Sequence, residues 1–142
     1  MATVRTAQAH WEGSLFEGQG EVELLSSELG SFEITWAARS QDANGKTSPE
    51  ELIAAAHSSC FSMALSNGLA QAGTPPTALD TTADVTFVPG TGITGIKLTV
   101  KGTVPGMTAE QFEAAAADAK VNCPVSQALT GTEITLDASL VD

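Results

Sequence analysis

The sequence predicts an α+β fold in a single domain, residues 1–142. Three features predict it. The first forty residues alternate apolar and polar positions between glycines. A long, nearly uncharged run from residue 48 to 73 carries helix start and stop signals. Two further alternating segments then precede a second set of helix starts and a last strand. The predicted order is βββ-α-ββ-αα-β. At 142 residues, 42% hydrophobic and 16% charged, the chain is long and apolar enough to bury a core of its own. No internal repeat, linker or low-complexity tract divides it.

VRTAQAHW, GEVELL and SFEITWAA read as the first three strands, with Gly18, Gly20 and Gly30 supplying the breaks. On this reading Arg39 ends the third strand. The polar loop SQDANGKT follows, with an Asn-Gly turn signal. The long helix opens with Ser48 as N-cap, Pro49 at the first helical position and Glu51 completing an S-x-x-E capping box. Gly73 and the prolines at 75 and 76 close it. TALDTTADVTFVP and GITGIKLTVKGTV form a hairpin about a turn at Pro89–Gly92, and GTGITG at 90–95 reads as that turn. Leu79, Ala83, Val85 and Phe87 share a buried face with Ile96, Leu98 and Val100, while Asp80 and Asp84 face solvent. Thr108 and Gln111 form a T-x-x-Q box opening an amphipathic helix with Phe112 on its apolar side. A short helix from Pro124 to about Leu129 and the strand EITLDASLV complete the chain.

The long helix bears on assembly. About 26 residues at 1.5 Å each span roughly 39 Å, against a diameter of roughly 37 Å for a compact chain of this length. The stretch from Leu52 to Leu65 is apolar or small on most faces, more than one modest sheet covers. A homodimer that buries two such helices together follows from that surplus.

Composition excludes several function classes. Six basic residues against seventeen acidic ones give a formal charge of −11, a surface that repels phosphate backbones, so nucleic acid is not an expected partner. The opening MATVRTAQAHW has no apolar core of a secretory signal. The apolar run from Leu52 to Leu69 is interrupted by His57, serines and glycine, which argues against a membrane span. A cytoplasmic location is the expectation. There is no G-x-G-x-x-G opening a helix, no Walker loop, no G-x-S-x-G elbow and no H-E-x-x-H.

Chemistry therefore rests on Cys60 and Cys123. Cys60 lies inside the long helix, where it is either an inert core residue or a nucleophile. A nucleophilic thiolate at mid-helix has no help from the helix dipole and needs a cation. Arg39 and Arg5 are the only arginines; Arg39 leads toward the helix start, where Glu50 could hold its guanidinium with two hydrogen bonds. Cys123 precedes Pro124 at a helix start, where free N–H groups favour an anionic sulfur; the plain alternative is a small capping residue. His57, three residues before Cys60, reads as a hydrogen-bonded histidine at a helix or dimer surface, or as the base of a Cys60/His57 hydrolase. A zinc site of His10, His57, Cys60 and Cys123 matches by residue type but lacks the usual ligand spacing.

QAHWEG, SPEELIAAAHSSCFSMAL, TTADV and NCPVSQAL, in that order, resemble the osmotically inducible protein C and organic hydroperoxide resistance family over essentially the whole chain, on the OsmC side of that family. The resemblance implies antiparallel β-sheets around a long central helix, an intertwined homodimer and two active sites at the subunit interface. It implies a thiol peroxidase in which Cys60 is peroxidatic, Cys123 resolving, Arg39 the thiolate-stabilising cation and Glu50 its orienting partner. It implies organic hydroperoxides as substrates, with hydrogen peroxide a further one. A lipoylated protein or dihydrolipoamide would be the dithiol reductant, and neither a metal nor an organic cofactor would be needed. Alternatives are a non-catalytic stress-response binding protein of the same fold and the Cys60/His57 hydrolase.

Overall fold

The computed structural model describes residues 1–141. Packing divides the chain into two compact units, the first Met1–Leu52 and the second from Ile53 onward.

In the first unit, β1 (Ala7–Glu12), β2 (Gln19–Leu24) and β3 (Ser31–Ile34) form an antiparallel meander in that order. Val22 is the buried residue of β2 and stands opposite Ala9 on one side and Phe32 on the other. All six residues of β1 are exposed. The third strand is shorter than SFEITWAA suggests, and Arg39 lies in a helix, α1 (Trp36–Ser40), rather than at a strand end. The cause is local. The Thr35 hydroxyl accepts from the Ala38 N–H at 3.1 Å, an N-cap that ends the strand and starts the turn. In the following loop Asn44 and Gly45 both adopt positive φ, 51° and 81°, and Lys46 N–H donates to Ala43 C=O at 3.0 Å. The Asn-Gly signal thus makes a tight turn of the kind these two residues tolerate.

Helix α2 (Pro49–Gln71) opens in the first unit and continues into the second. Ser48 Oγ accepts from the Glu51 N–H at 3.2 Å, one limb of the expected capping box. The Glu51 carboxylate accepts from the Thr47 hydroxyl. The helix stops two residues before Gly73, which takes φ 90°.

In the second unit, β4 (Ala78–Val88) and β5 (Gly92–Thr103) pair as the predicted hairpin, with a bulge between Thr86 and Phe87. Only the start of GTGITG is turn, because Gly92 already opens β5. Helix α3 (Ala109–Asn122) carries both limbs of its capping box, and α4 (Pro124–Ala128) follows directly. β6 (Ile134–Leu140) then pairs with β5 in parallel, Ile96 opposite Ile134 and Gly102 opposite Leu140. The sheets are therefore not antiparallel throughout. The α3–α4 connection returns the chain to the starting end of β5, and a helical crossover between neighbouring strands yields a parallel pair.

Phe61, Leu65 and Leu69, spaced four residues apart on α2, pack into one cluster with Leu98 and Val100 of β5 and with Phe112, Ala116 and Ala119 of α3. Phe112 is wholly buried and lies over Gly102. A Cβ added at Gly102 would meet Phe112 Cζ at 2.5 Å and Leu79 Cδ2 at 3.1 Å. Gly102→Ala should cost about 1–3 kcal/mol by overpacking, read as a lowered urea midpoint at unchanged slope. A midpoint equal to that of the parent would mean that Phe112 has room to move.

Candidate active site

The site is built on α2 and on the α3–α4 junction of the second unit. Cys60 occupies the helix position just before the buried Phe61 and packs against the core from a half-buried position. Cys123 is fully buried and ends one helix while starting the next. Its N–H donates to Ala119 C=O at 2.8 Å, and its own carbonyl accepts from the Gln127 N–H at 3.0 Å. Pro124 imposes this break, since the residue before a proline is driven out of helical conformation; Cys123 has φ −57° and ψ 124°.

Both cysteines are free thiols and the structure brings them together. The Val125 backbone N–H faces both sulfurs. Burial pushes the Cys60 thiol up, the Val125 N–H opposes that, and the neighbouring Cys123 adds to the rise. Burial would also raise Cys123. It is outweighed by the Ser126 N–H, the Cys60 thiol, the Ser126 hydroxyl and the Val125 N–H, which together hold Cys123 below its ordinary value. α4 is only five residues long, so these individual donors, rather than a macrodipole, favour the Cys123 thiolate.

A cavity of about 920 Å³ opens beside Cys60, lined in part by Met63, Ala64, Met107, Ala115 and Pro124. Its lining is mostly apolar, with Asn67 and Asn122 among the polar contributors.

His57 is completely buried, not at a surface. Its Nε2 lies 2.7 Å from Ser126 Oγ and its Nδ1 has no partner. The Cys60/His57 dyad of a hydrolase is therefore not formed: one ring nitrogen is engaged by Ser126, and the other has no hydrogen-bond partner. Ser126 had not stood out in the sequence. The only hint was its place in CPVS, at the third helical position after Cys123. The zinc quartet is not assembled either. His10 pairs with Glu12 at 3.4 Å, and among the described residues no three His, Cys, Asp or Glu side chains are gathered for a metal ion. No helix of the described residues is long and apolar enough to cross a membrane.

In the first unit, Glu50 holds Arg39 along one edge of the guanidinium. Nε donates to both carboxylate oxygens at 3.1 and 3.2 Å, and Nη2 donates to Oε2 at 2.9 Å. Glu50 is buried and Arg39 half-buried, so the pair is shielded from solvent and geometrically fixed. The next residue, Glu51, is exposed and serves the helix start.

The family model for OsmC-like protein matches residues 41–138. Over 143 aligned residues the sequence is 46% identical to Peroxiredoxin OsmC of Escherichia coli (strain K12), covering 99% of each chain. The chain belongs to the OsmC-like protein family. Its fold agrees with solved members and relatives. An organic hydroperoxide resistance protein from Elizabethkingia anophelis superimposes with a TM-score of 0.70 at 26% identity, over 99% of this chain and all of that one. An OsmC-like protein from Mycoplasma pneumoniae, at 16% identity and full coverage of both chains, shares the fold with a TM-score of 0.72.

One pH dependence follows for this OsmC-like chain. Burial holds His57 below its usual value of 6.5, so the fold favours the neutral ring. The stability this contributes is complete above pH 6.5 and is lost as the pH falls below it toward the folded value. Urea midpoints measured at pH 7.5 and 5 should fall more steeply for the parent than for His57→Gln, which cannot titrate. Parallel profiles would show that His57 charges as freely in the fold as outside it.

Proposed function

We propose that the chain is a thiol-dependent peroxidase of organic hydroperoxides that works through a Cys60–Cys123 disulfide. One observation carries this: two free thiols, one half-buried at a cavity and one buried, face each other in a chain 46% identical from end to end to a peroxiredoxin. The mostly apolar cavity beside Cys60 supports an organic hydroperoxide as substrate, and hydrogen peroxide is a second candidate. Coverage of 99% of both chains supports treating residues 1–142 as one OsmC-like domain.

In the first step the Cys60 thiolate attacks the distal peroxide oxygen. The O–O bond breaks, an S–O bond forms, and the alkoxide leaves as alcohol after taking up a proton. Cys60 is now a sulfenic acid, oxidised by two electrons. The Cys123 thiolate then attacks the Cys60 sulfur. The S–S bond replaces the S–OH bond, and hydroxide departs as water with one proton. A dithiol reductant, here proposed as dihydrolipoamide or a lipoylated protein, returns two electrons and two protons by exchange.

Burial raises the Cys60 thiol, so the first step at neutral pH requires a cation to oppose it. Arg39 is proposed for that role and Glu50 as the residue that orients it; the bidentate pair and its burial support the assignment. The active unit is proposed to be a cytoplasmic homodimer with its sites at the subunit interface. Support comes from large apolar side chains left uncovered: Met63 on α2 is 69% exposed and Val121 on α3 is 64% exposed. Sedimentation at micromolar concentration should give twice the 14.5 kDa chain mass, and a species of single chain mass would refute the dimer.

Peroxide consumption with a dithiol tests the function. Cys60→Ser should abolish turnover of cumene or t-butyl hydroperoxide, and Cys123→Ser should permit about one turnover before oxidised Cys60 accumulates. Arg39→Ala should slow oxidation of Cys60 by ten-fold or more, and Arg39→Lys should recover only part of it, because the fork geometry is lost. Full activity in both cysteine variants would refute the peroxidase reading.

A further inference from the structure

The proposed peroxidase cycle uses Cys60, Cys123, Arg39 and Glu50, and leaves a buried histidine with no task. His57 has no solvent exposure, yet an imidazole is a costly group to bury unless its polar atoms are partnered. One of them is partnered, by the buried Ser126 hydroxyl at 2.7 Å, and the other is not. The asymmetry decides which nitrogen carries the proton. An unpaired N–H buried in the core is rarer and costlier than an unpaired acceptor. The proton therefore sits on Nε2, and the bare Nδ1 is the lone pair left unpaired. Burial moves uptake of a second proton by the ring to lower pH.

This tautomer constrains the serine. With His57 Nε2–H donating to it, Ser126 Oγ acts as acceptor toward the histidine, and its own O–H is left to donate elsewhere. The Cys123 sulfur lies three residues earlier at the head of α4, and the Ser126 hydroxyl is among the groups that hold the Cys123 thiol below its ordinary value. A hydroxyl whose oxygen accepts one hydrogen bond is polarised into a stronger donor for the next.

We propose that His57 is a positioning residue for the resolving half of the cycle: its Nε2–H fixes the Ser126 hydroxyl as a donor to the Cys123 sulfur. The relay holds Cys123 as a thiolate when it attacks the Cys60 sulfenic acid. It steadies the same sulfur as the leaving group when a dithiol opens the disulfide at Cys60. No proton needs to enter the ring in either step. His57 touches neither substrate nor the reacting sulfurs, and it acts only through Ser126. The proposal rests on the peroxidase reading for its purpose, but its geometry is tested without turnover.

Two measurements test it. In the unaltered protein, ¹⁵N shifts of the His57 ring should show the neutral Nε2–H tautomer at pH 7.5; a neutral Nδ1–H tautomer or an imidazolium at that pH would overturn the proposal. In a Cys60→Ser background, the Cys123 thiolate is titrated by its ultraviolet absorbance. Ser126→Ala and His57→Met should each raise the midpoint by about one pH unit, ten-fold in thiolate at a given pH. The two together should raise it no further than Ser126→Ala alone, because they interrupt one chain. His57→Gln, whose amide NH₂ can stand in for Nε2–H, should recover most of the shift. An unmoved midpoint in Ser126→Ala would sink the relay, as would a full additional shift from His57→Met on top of it. Should peroxide consumption be absent while these shifts appear, the peroxidase reading fails and the relay stands.

Discussion

The site depends on the burial of one stripe of α2. Phe61, Leu65 and Leu69 press into β5 and α3, and each such side chain removed from water contributes on the order of 1.5–3 kcal/mol. That packing fixes the rotation of the helix about its own axis. Once Phe61 is seated, its neighbour Cys60 is held at the edge of the core, and His57, one turn earlier, is directed inward to Ser126. The cysteine at the end of α3 is itself a member of the cluster, so the contacts that stabilise the second unit also bring the two sulfurs face to face. Interiors are packed densely enough that neither sulfur has room to drift without a cost in the same currency as the core itself.

The electrostatics of the pair follow from an unequal distribution of donors. Val125 N–H serves both sulfurs, but the Ser126 N–H and hydroxyl serve Cys123 alone. Two adjacent thiols cannot both ionise easily, and the better-solvated one by hydrogen bonds takes the charge. Within this arrangement Cys123 is the more acidic thiol, and Cys60 needs an outside cation. The division suits the proposed cycle, in which Cys60 is ionised with the help of the Arg39 guanidinium and Cys123 takes the charge once Cys60 has become a sulfenic acid.

Much of the fold was legible because it is written in short-range terms. Alternation located β2, β4, β5 and β6, and the caps at Ser48 and Thr108 located the two long helices to within a residue or so. Helix α1 was not legible, since a five-residue helix leaves no periodicity and WAARS continues the apolar pattern of a strand. The parallel pairing of β6 was not legible either, because direction within a sheet is set by the route of the connection and not by the strand's own residues. Of the site, the residue types were visible directly, and the meeting of Cys60 with Cys123 only through the family resemblance. The bidentate Arg39–Glu50 contact could be guessed from a helix-start glutamate and a scarcity of arginines. The contact between His57 and Ser126 spans 69 positions and has no local signature, so it emerged only with the fold.

The parallel β5–β6 pair also sets an order of assembly. The β4–β5 hairpin closes over a three-residue turn, whereas β6 reaches β5 only after a connection of some thirty residues has been gathered in. Loop-closure entropy makes the second event the slower one, and contacts remote in sequence are the ones that lower folding rates. Cys123 lies within that late-closing connection, and Cys60 lies upstream of the hairpin. In a chain emerging from the ribosome the two sulfurs are therefore strangers until the crossover docks, and the capacity to form a disulfide arrives together with the finished sheet.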